Sequence, residues 1–382
     1  MDFDLSFEHQ AIRETARKFA KQEVAPRAEE LDRKAAFPYD IVKKMADLNF
    51  FGLTLPPEYG GVDAGALAFA IAVEEIGRAE SAVAINLVDQ ALVASGLLLF
   101  GSQDQKNKWL ACLAKGEVLG AFGLTEPNAG SDAGSPRTTA RLDGDEWVVN
   151  GSKQFITNGG TDITGFVLIT ARTGNSRPGN KPDVSMLLIP NGTPGYTVGP
   201  KYNKIGWKCS DTRPLTFEDC RVPKENLVGE KGKGFKQMLT MLDIGRIGVA
   251  ADSLGLAQAC YDEAAKYAKV REQFGQPISK FQVIQFKLAD MAMEIELARL
   301  MTYKAAWLYD EKRPNAYEGD IAKLFASETA KRAADQAVQI HGGYGYMDDY
   351  AVSRYWRTVK IMEIGEGTNE IQRLVIARRL GF

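Results

Sequence analysis

The chain has 382 residues, 45% apolar and 25% charged, a soluble-globular balance and too long a chain for one small core. A net charge of −2 gives no global field directed at nucleic acid or an anionic membrane. The four cysteines, Cys112, Cys209, Cys220 and Cys260, show no C-x-x-C spacing, and only His9 and His341 could join them, so no metal site and no disulfide framework is expected.

In chain order, Met1 to Leu5 is acidic and lacks the basic and apolar regions of a signal peptide, which points to a soluble, cytoplasmic protein. Ser6 followed by His9-Gln10 is placed to cap a first helix, with Ile12, Ala16, Phe19 and Ala20 on one face. Pro56 to Gly61 must be a loop, because its two prolines and two glycines cannot continue a helix. Helical spacing resumes at Ala66 and runs with breaks to Leu113. Within it, Ala82 to Phe100 is interrupted by Asn86, Asp89 and Gln90, and so reads as a buried helix rather than a membrane span. After Gly120 the texture changes to short alternating runs: 137–142, 146–149, 152–157, 166–170, 184–189 and 215–218. Asp143-Gly144 reads as a turn and Asn150-Gly151 as a hairpin. Gly229 to Gly234 is a loop before a helix. Beyond it, Phe281, Ile284, Leu288, Met291, Ile295 and Ala298 form a bundle seam on a helix reaching about Glu311.

Four blocks resemble the acyl-CoA dehydrogenase family: Phe122-Gly123-Leu124-Thr125-Glu126-Pro127-Asn128-Ala129-Gly130-Ser131-Asp132, Lys153-Gln154-Phe155-Ile156-Thr157-Asn158-Gly159-Gly160, Gln339-Ile340-His341-Gly342-Gly343-Tyr344-Gly345-Tyr346, and Glu366-Gly367-Thr368-Asn369-Glu370-Ile371-Gln372-Arg373. They stand in that family's order and spacing, and Leu242 to Gly248 looks most like its short-chain (butyryl) type. The texture and the resemblance together imply an α+β multidomain chain. An N-terminal α-helical domain (1–119) would be followed by a middle antiparallel β-barrel or sandwich domain (120–230) and a C-terminal four-helix bundle (231–382).

The activity implied is FAD-dependent α,β-dehydrogenation of a short- to medium-chain acyl-CoA to the trans-2-enoyl-CoA. Glu366 would take the α-proton while the β-hydride passes to the flavin. A carbon acid beside a thioester is weak, so it needs a positioned carboxylate and a polarised carbonyl. Enclosure with an apolar chain should raise the pKa of that carboxyl. The resemblance assigns the Glu366 backbone N–H to the thioester oxygen, Thr125 and Thr157 to the flavin ring, and Ser131 to the pyrophosphate and substrate side. Leu124, Gly130, Phe155 (in place of the commoner Trp), Ile156, Thr368 and Glu370 would complete the near cofactor contacts. Arg271, Gln273, Phe274, Gln282, Gln339, Gly342 and Gly343 would reach the FAD of a neighbouring subunit. Asp243, Arg246, Gly367 and Arg378 would serve the CoA substrate. Read without the resemblance, Glu366 is a solvated loop acid, the threonines are strand formers, Gly342-Gly343 is a helix-ending turn, and Asp243–Arg246 is a surface ion pair.

Two departures bear on the substrate. Gly365 stands where many relatives have Tyr, which opens space for a branched or alicyclic acyl group. Asp89 is a carboxylate in an apolar run, either a partly exposed acid or a second polar group in the acyl pocket. Gly245 occupies the position of the base in another branch and cannot serve. The partners implied are an acyl-CoA, an electron-transferring flavoprotein as acceptor, and a homotetramer arranged as a dimer of dimers. The alternatives are the same site run as an enoyl-CoA reductase, or a catalytically silent homologue.

Overall fold

The computed structural model describes residues 4–174 and 182–382; the acidic start at Met1 to Phe3 falls outside the described residues. Ser6 caps α1 (Phe7–Phe19), its hydroxyl accepting the His9 N–H at 3.2 Å, and Ala16 and Phe19 turn inward. Short helices α2 (Ala28–Lys34) and α3 (Tyr39–Asp47) follow, then the Pro-Gly loop with a single 3₁₀ turn at Pro57–Tyr59. Next come α4 (Gly65–Phe100) and α5 (Gln103–Ala114).

Helix α4 is long and apolar enough to cross a membrane by length and composition, yet 78% of its most apolar window is buried inside the protein. It is a core helix, and it bends once. Glu80 leaves helical geometry (φ −159°, ψ 108°), and its carboxylate accepts the Ala82 N–H at 3.2 Å and Arg354 Nε at 2.9 Å. An acid inside the helix thereby caps the second half and sets its direction.

The middle segment is one eight-stranded sheet: β1 (Leu119–Gly123), β2 (Thr139–Asp143), β3 (Glu146–Thr157), β4 (Thr164–Arg172), β5 (Val184–Pro190), β6 (Tyr196–Val198), β7 (Thr212–Pro223) and β8 (Leu227–Val228). The order is β6-β7-β3-β2-β4-β5-β8, with β1 beside β4. Most pairings are antiparallel, as the pattern suggests, but β1 and the start of β2 run parallel to β4, so the sheet is mixed.

The turn at Asp143-Gly144 is present, whereas the hairpin expected at Asn150-Gly151 is not: β3 passes straight through it. Those residues form a bulge instead, where the β3–β7 register shifts between Val149 and Gly151. Gly151 (φ +145°) approaches Thr138 so closely that a Cβ would lie 2.6 Å from its Cα. Asn150 bonds across the bulge to Asp219, donating to its carboxylate at 3.0 Å and accepting its N–H at 2.8 Å. The dipeptide that marks a turn also satisfies a bulge, and local sequence does not separate the two.

The last segment holds α6 (Gly234–Val270), a small hairpin of β9 (Glu272–Gln273) and β10 (Gln276–Pro277), then α7 (Gln282–Asp310), α8 (Ala316–His341), α9 (Ala351–Thr358) and α10 (Asn369–Arg379). The α7 seam is as read: Met291, Ile295 and Ala298 are buried, with Ile284 and Leu288 packed against the same core. Alanines on the facing surfaces of α7 and α8, among them Ala298, Ala305, Ala326 and Ala330, let the helices approach closely. One core cluster joins α1 and α4 to α6, α7, α8 and the chain near Met362, so the first and last helical segments share an interior. A second, including Leu92, Leu97, Phe166, Leu168 and Met241, fastens that helical body to the sheet.

Gly151→Ala combines a positive φ with a backbone clash. It should lower stability by about 2 kcal/mol, read as a drop in the thermal or denaturant midpoint.

Candidate active site

Between α9 and α10 the chain makes a tight loop in which Glu366 (φ +56°) and Gly367 (φ +90°) both take left-handed backbone. A glutamate pays for that conformation, and the surrounding contacts hold it there. Gln372 Nε2 donates to the Glu366 carbonyl at 3.0 Å, and Lys323 Nζ on α8 donates to the Gly367 carbonyl at 2.9 Å and to Asn369 Oδ1 at 2.9 Å. Lys323 is fully buried, which pulls its pKa down to about 8. Thr368 caps α10, accepting the Ile371 N–H at 3.3 Å.

The loop directs the Glu366 carboxylate at α6. Its Oε2 would lie 2.7 Å from a Cβ at Gly245, so a side chain there would push the carboxylate from this position. That oxygen is covered and has no hydrogen-bond partner among the described residues. Burial raises the Glu366 pKa to about 7, against the pull of the nearby Arg246 and Lys323 cations. Arg246 is itself buried, with Nη1 2.6 Å from Asp320, which also takes Arg379 Nε at 3.1 Å. Glu366 is therefore no solvated loop acid. It is a carboxyl with an open valence, poised near neutrality.

Across from it stands the second half of α4. Leu92 Cδ1 comes within 3.3 Å of the same Gly245 Cβ position, and Asp89 lies one turn earlier on that face. Asp89 is buried rather than partly exposed and accepts Asn158 Nδ2 at 3.1 Å. Its pKa lies well above the carboxylate range, from burial first and the neighbouring Glu366 second. Asn158 follows Thr157 at the end of β3, so the strand that carries the expected flavin contacts touches the helix that faces Glu366.

The block containing Leu124, Thr125, Gly130 and Ser131 runs along β3, where Gln154 N donates to Thr125 O at 2.8 Å. Phe155 sits in left-handed backbone (φ +61°) with its ring 62% exposed, as a bulge residue would be if it served a ligand. Two residues the sequence reading passed over hold this block in place. Lys153 Nζ, fully buried, reaches Glu126 Oε1 at 2.7 Å and Leu124 O at 3.2 Å, while Glu126 takes the N–H groups of Arg137 and Thr138. Burial alone would raise the Glu126 pKa, but Lys153 and those N–H groups keep it below its ordinary value. An alternating strand with a lysine at an inward position was the signal available.

Three family models cover almost the whole chain: the acyl-CoA dehydrogenase N-terminal domain over residues 6–117, the middle domain over 121–220 and the C-terminal domain over 232–381. The chain belongs to the acyl-CoA dehydrogenase family. It is 52% identical to a probable acyl-CoA dehydrogenase, YngJ, of Bacillus subtilis, with all of both chains covered. It is 48% identical to the mitochondrial short-chain specific acyl-CoA dehydrogenase of Mus musculus, covering 97% of this chain and 90% of the relative. Its fold superposes on butyryl-CoA dehydrogenase of Megasphaera elsdenii with a TM-score of 0.96, at 42% identity over the full length of both. It is an oxidoreductase acting on a CH–CH bond of an acyl-CoA.

The remaining residues singled out in the sequence are spread over several elements. Arg271, Gln273, Gly342 and Gly343 line one cleft of about 460 Å³ with Tyr267, Ile278, His341 and Tyr344. Beside it, Phe274 forms the tip of the β9–β10 hairpin, 93% exposed and left-handed (φ +53°), followed by Gly275 (φ +78°). Gln282 opens α7 and Gln339 lies in the last turn of α8, both exposed. Asp243 and Arg246 share a face of α6 but are no surface ion pair: Arg246 points inward to Asp320, and burial lifts Asp243 to about 6. Arg378 and Glu370 are exposed on α10. Ile156 packs into the sheet core, which leaves its backbone as the part able to contact a ligand. Among the described residues, no group of three or more His, Cys, Asp or Glu side chains is arranged to hold a metal ion.

Lys323→Met removes a cation that favours ionised Glu366. The rising limb of the pH profile of kcat/KM should shift above pH 7, lowering activity at pH 7 by roughly 3–10-fold. Lys323→Arg should shift it less.

Proposed function

We propose that this enzyme dehydrogenates a short- to medium-chain acyl-CoA to the trans-2-enoyl-CoA, with Glu366 as the base that takes the α-proton. The observation that carries the reading is the enclosed Glu366 carboxyl against Gly245, its Oε2 unpaired and its pKa raised to about 7. A base that must strip a poorly acidic C–H near neutral pH works best in that range. It has to be ionised before substrate enters, so activity should rise with pH through about 7.

The cofactor assigned to this site is FAD, which supplies the hydride acceptor at the β-carbon. The residues fit such a group. Thr125, Thr157 and Ser131 would offer it hydroxyls, the Phe155 ring lies open, and a Cβ at Gly130 would meet nothing within 4 Å. The cleft lined by Arg271, Gln273, Gly342 and Gly343 suits a phosphate-bearing portion held from a second subunit. Gln372 and Lys323 hold the loop by its carbonyls, and the Glu366 backbone N–H would be the donor for a thioester oxygen. Leu92 and Val88 exclude water from the carbon being deprotonated.

Assembly as a homotetramer is supported by α7, which carries a second apolar stripe on its outer side: Val283, Phe286, Met293, Leu297 and Leu300 are 43–60% exposed at helical spacing. Electrons would leave to an electron-transferring flavoprotein in a soluble compartment, the cytoplasm being the expected one. The same residues would also serve enoyl-CoA reduction, since Glu366 can return the proton it takes. One observation favours a branched or alicyclic acyl group: a Cβ at Gly365 would meet only the Ile361 carbonyl, at 3.5 Å, so space stays open beside the base.

Glu366→Gln keeps the shape and removes the base. Anaerobic bleaching of the bound flavin by butyryl-CoA should slow by about 10²–10⁴-fold, with the yellow holoenzyme still formed. Unimpaired bleaching would place the base elsewhere.

A further inference from the structure

The acyl end of the site contains a polar pair that alkyl desaturation does not use. Asp89 (7% exposed) and Asn158 (fully buried) come from different elements and meet through Asn158 Nδ2, which donates to Asp89 Oδ2 at 3.1 Å. Because the amide turns its NH₂ toward Asp89, its Oδ1 remains, and that oxygen is buried with no partner among the described residues. The surroundings are apolar. Val88 and Leu92 flank Asp89 on α4, and the Cβ positions of Gly245 and Gly248 on α6 lie within 3.3 and 2.8 Å of Leu92 and Val88. A plain alkyl chain laid along this wall matches Val88 and Leu92 but leaves the Asn158 carbonyl oxygen unpaired and the Asp89 carboxyl facing hydrocarbon. Buried groups of this kind are normally satisfied by something.

The amide oxygen can only accept, whereas the carboxyl accepts when ionised and, when neutral, also has one O–H to give. A ligand that satisfies the amide oxygen must donate, and a hydroxyl can accept from a neutral Asp89 as well. We propose that Asp89 and Asn158 form the specificity wall of the acyl pocket, and that the preferred substrate is a short acyl-CoA carrying an O–H or N–H donor beyond the β-carbon. This rests on the reading of Glu366 as the base. An amine would arrive as an ammonium ion and draw Asp89 into its charged form as an ion pair. A hydroxyl would be held with Asp89 neutral, the form that burial beside Glu366 favours. Sites built to hydrogen-bond a substrate group reject the analogue lacking it far more strongly than apolar pockets reject a missing methylene.

The test uses the holoenzyme with butyryl-CoA, 4-hydroxybutyryl-CoA and 4-aminobutyryl-CoA, reading kcat/KM by flavin bleaching. Binding of each to the Glu366→Gln protein is measured by calorimetry, so that affinity is scored without turnover. The expected result is a preference of at least ~30-fold for one donor-bearing thioester over butyryl-CoA, largely abolished in Asp89→Leu through loss of the donor-bearing substrate and gain of butyryl-CoA. Asp89→Asn, nearly the same shape, separates the two donors: it should lose the amine but keep most of the hydroxyl. Equal or better use of butyryl-CoA by the wild type, with the ratio unmoved in both Asp89 variants, would overturn the inference and leave the dehydrogenase reading intact. Turnover that survives Glu366→Gln would instead sink that reading.

Discussion

A carboxyl that is to serve as a base for carbon, the role proposed for Glu366, has to be kept among hydrocarbon and still be able to lose its proton. The surroundings of Glu366 answer that conflict. Burial pushes the Glu366 carboxyl up, and Arg246 and Lys323 pull it back, so that it settles near neutrality. Each cation is itself costly to bury and must be paired by something other than the base. Asp320 takes Arg246 and shares itself with Arg379, while Lys323 spends its hydrogen bonds on the Gly367 carbonyl and Asn369. The charges thus act on Glu366 through space without forming a hydrogen-bonded salt bridge to it, which would quench the base.

The fold supplies the rigid surroundings this balance needs. α4 and α6 share a core with α1, α7 and α8, and the Gly245 and Gly248 positions let α4 press close where the carboxylate lies. The bend at Glu80 turns the second half of α4 so that Asp89 and Leu92 confront the loop of Glu366. On the other side, the buried Lys153–Glu126 pair holds the Leu124–Ser131 block against β3. Breaking either member would strand an uncompensated charge in the sheet, so the pair fixes a shape more than it adds stability.

The sequence conveyed the element types well where period and length agreed: the Ser6 cap, the Pro-Gly loop, the α7 seam and the buried character of α4 are all present. It misled at Asn150-Gly151, where positive-φ chemistry serves a bulge, and it could not foresee β1 and β2 lying parallel to β4, a pairing set by chain path. Glu366 was legible through its block. The surroundings that suit it to the proposed role were not: Gly245 lies 121 positions earlier in the chain (366 minus 245), and Lys323 reads as one more helix lysine. Read without the family resemblance, Arg246 looked like half of a surface pair with Asp243, because helix spacing shows which residues share a face but not whether that face is buried. Asp89 stood out as a polar residue in an apolar run, but its partner Asn158 comes from the far end of a strand 69 residues on.

Burial first and the nearby Glu366 second hold the Asp89 pKa up, so the two carboxyls compete for charge within one enclosure. Both cannot be charged cheaply, and the division of labour follows from their neighbours. Glu366 has two cations in reach and takes the negative charge; Asp89 has one neutral amide and keeps its proton. Ionising Asp89 would then work against Glu366 unless a positive charge entered with the substrate. The acyl group therefore bears on the chemistry as well as on fit. A neutral donor leaves the base where Arg246 and Lys323 set it, while a cationic one restores the balance by ionising Asp89 and cancelling the new charge in the same step. Selectivity at the far end of the pocket and proton affinity at the near end are in this way settled by one electrostatic enclosure.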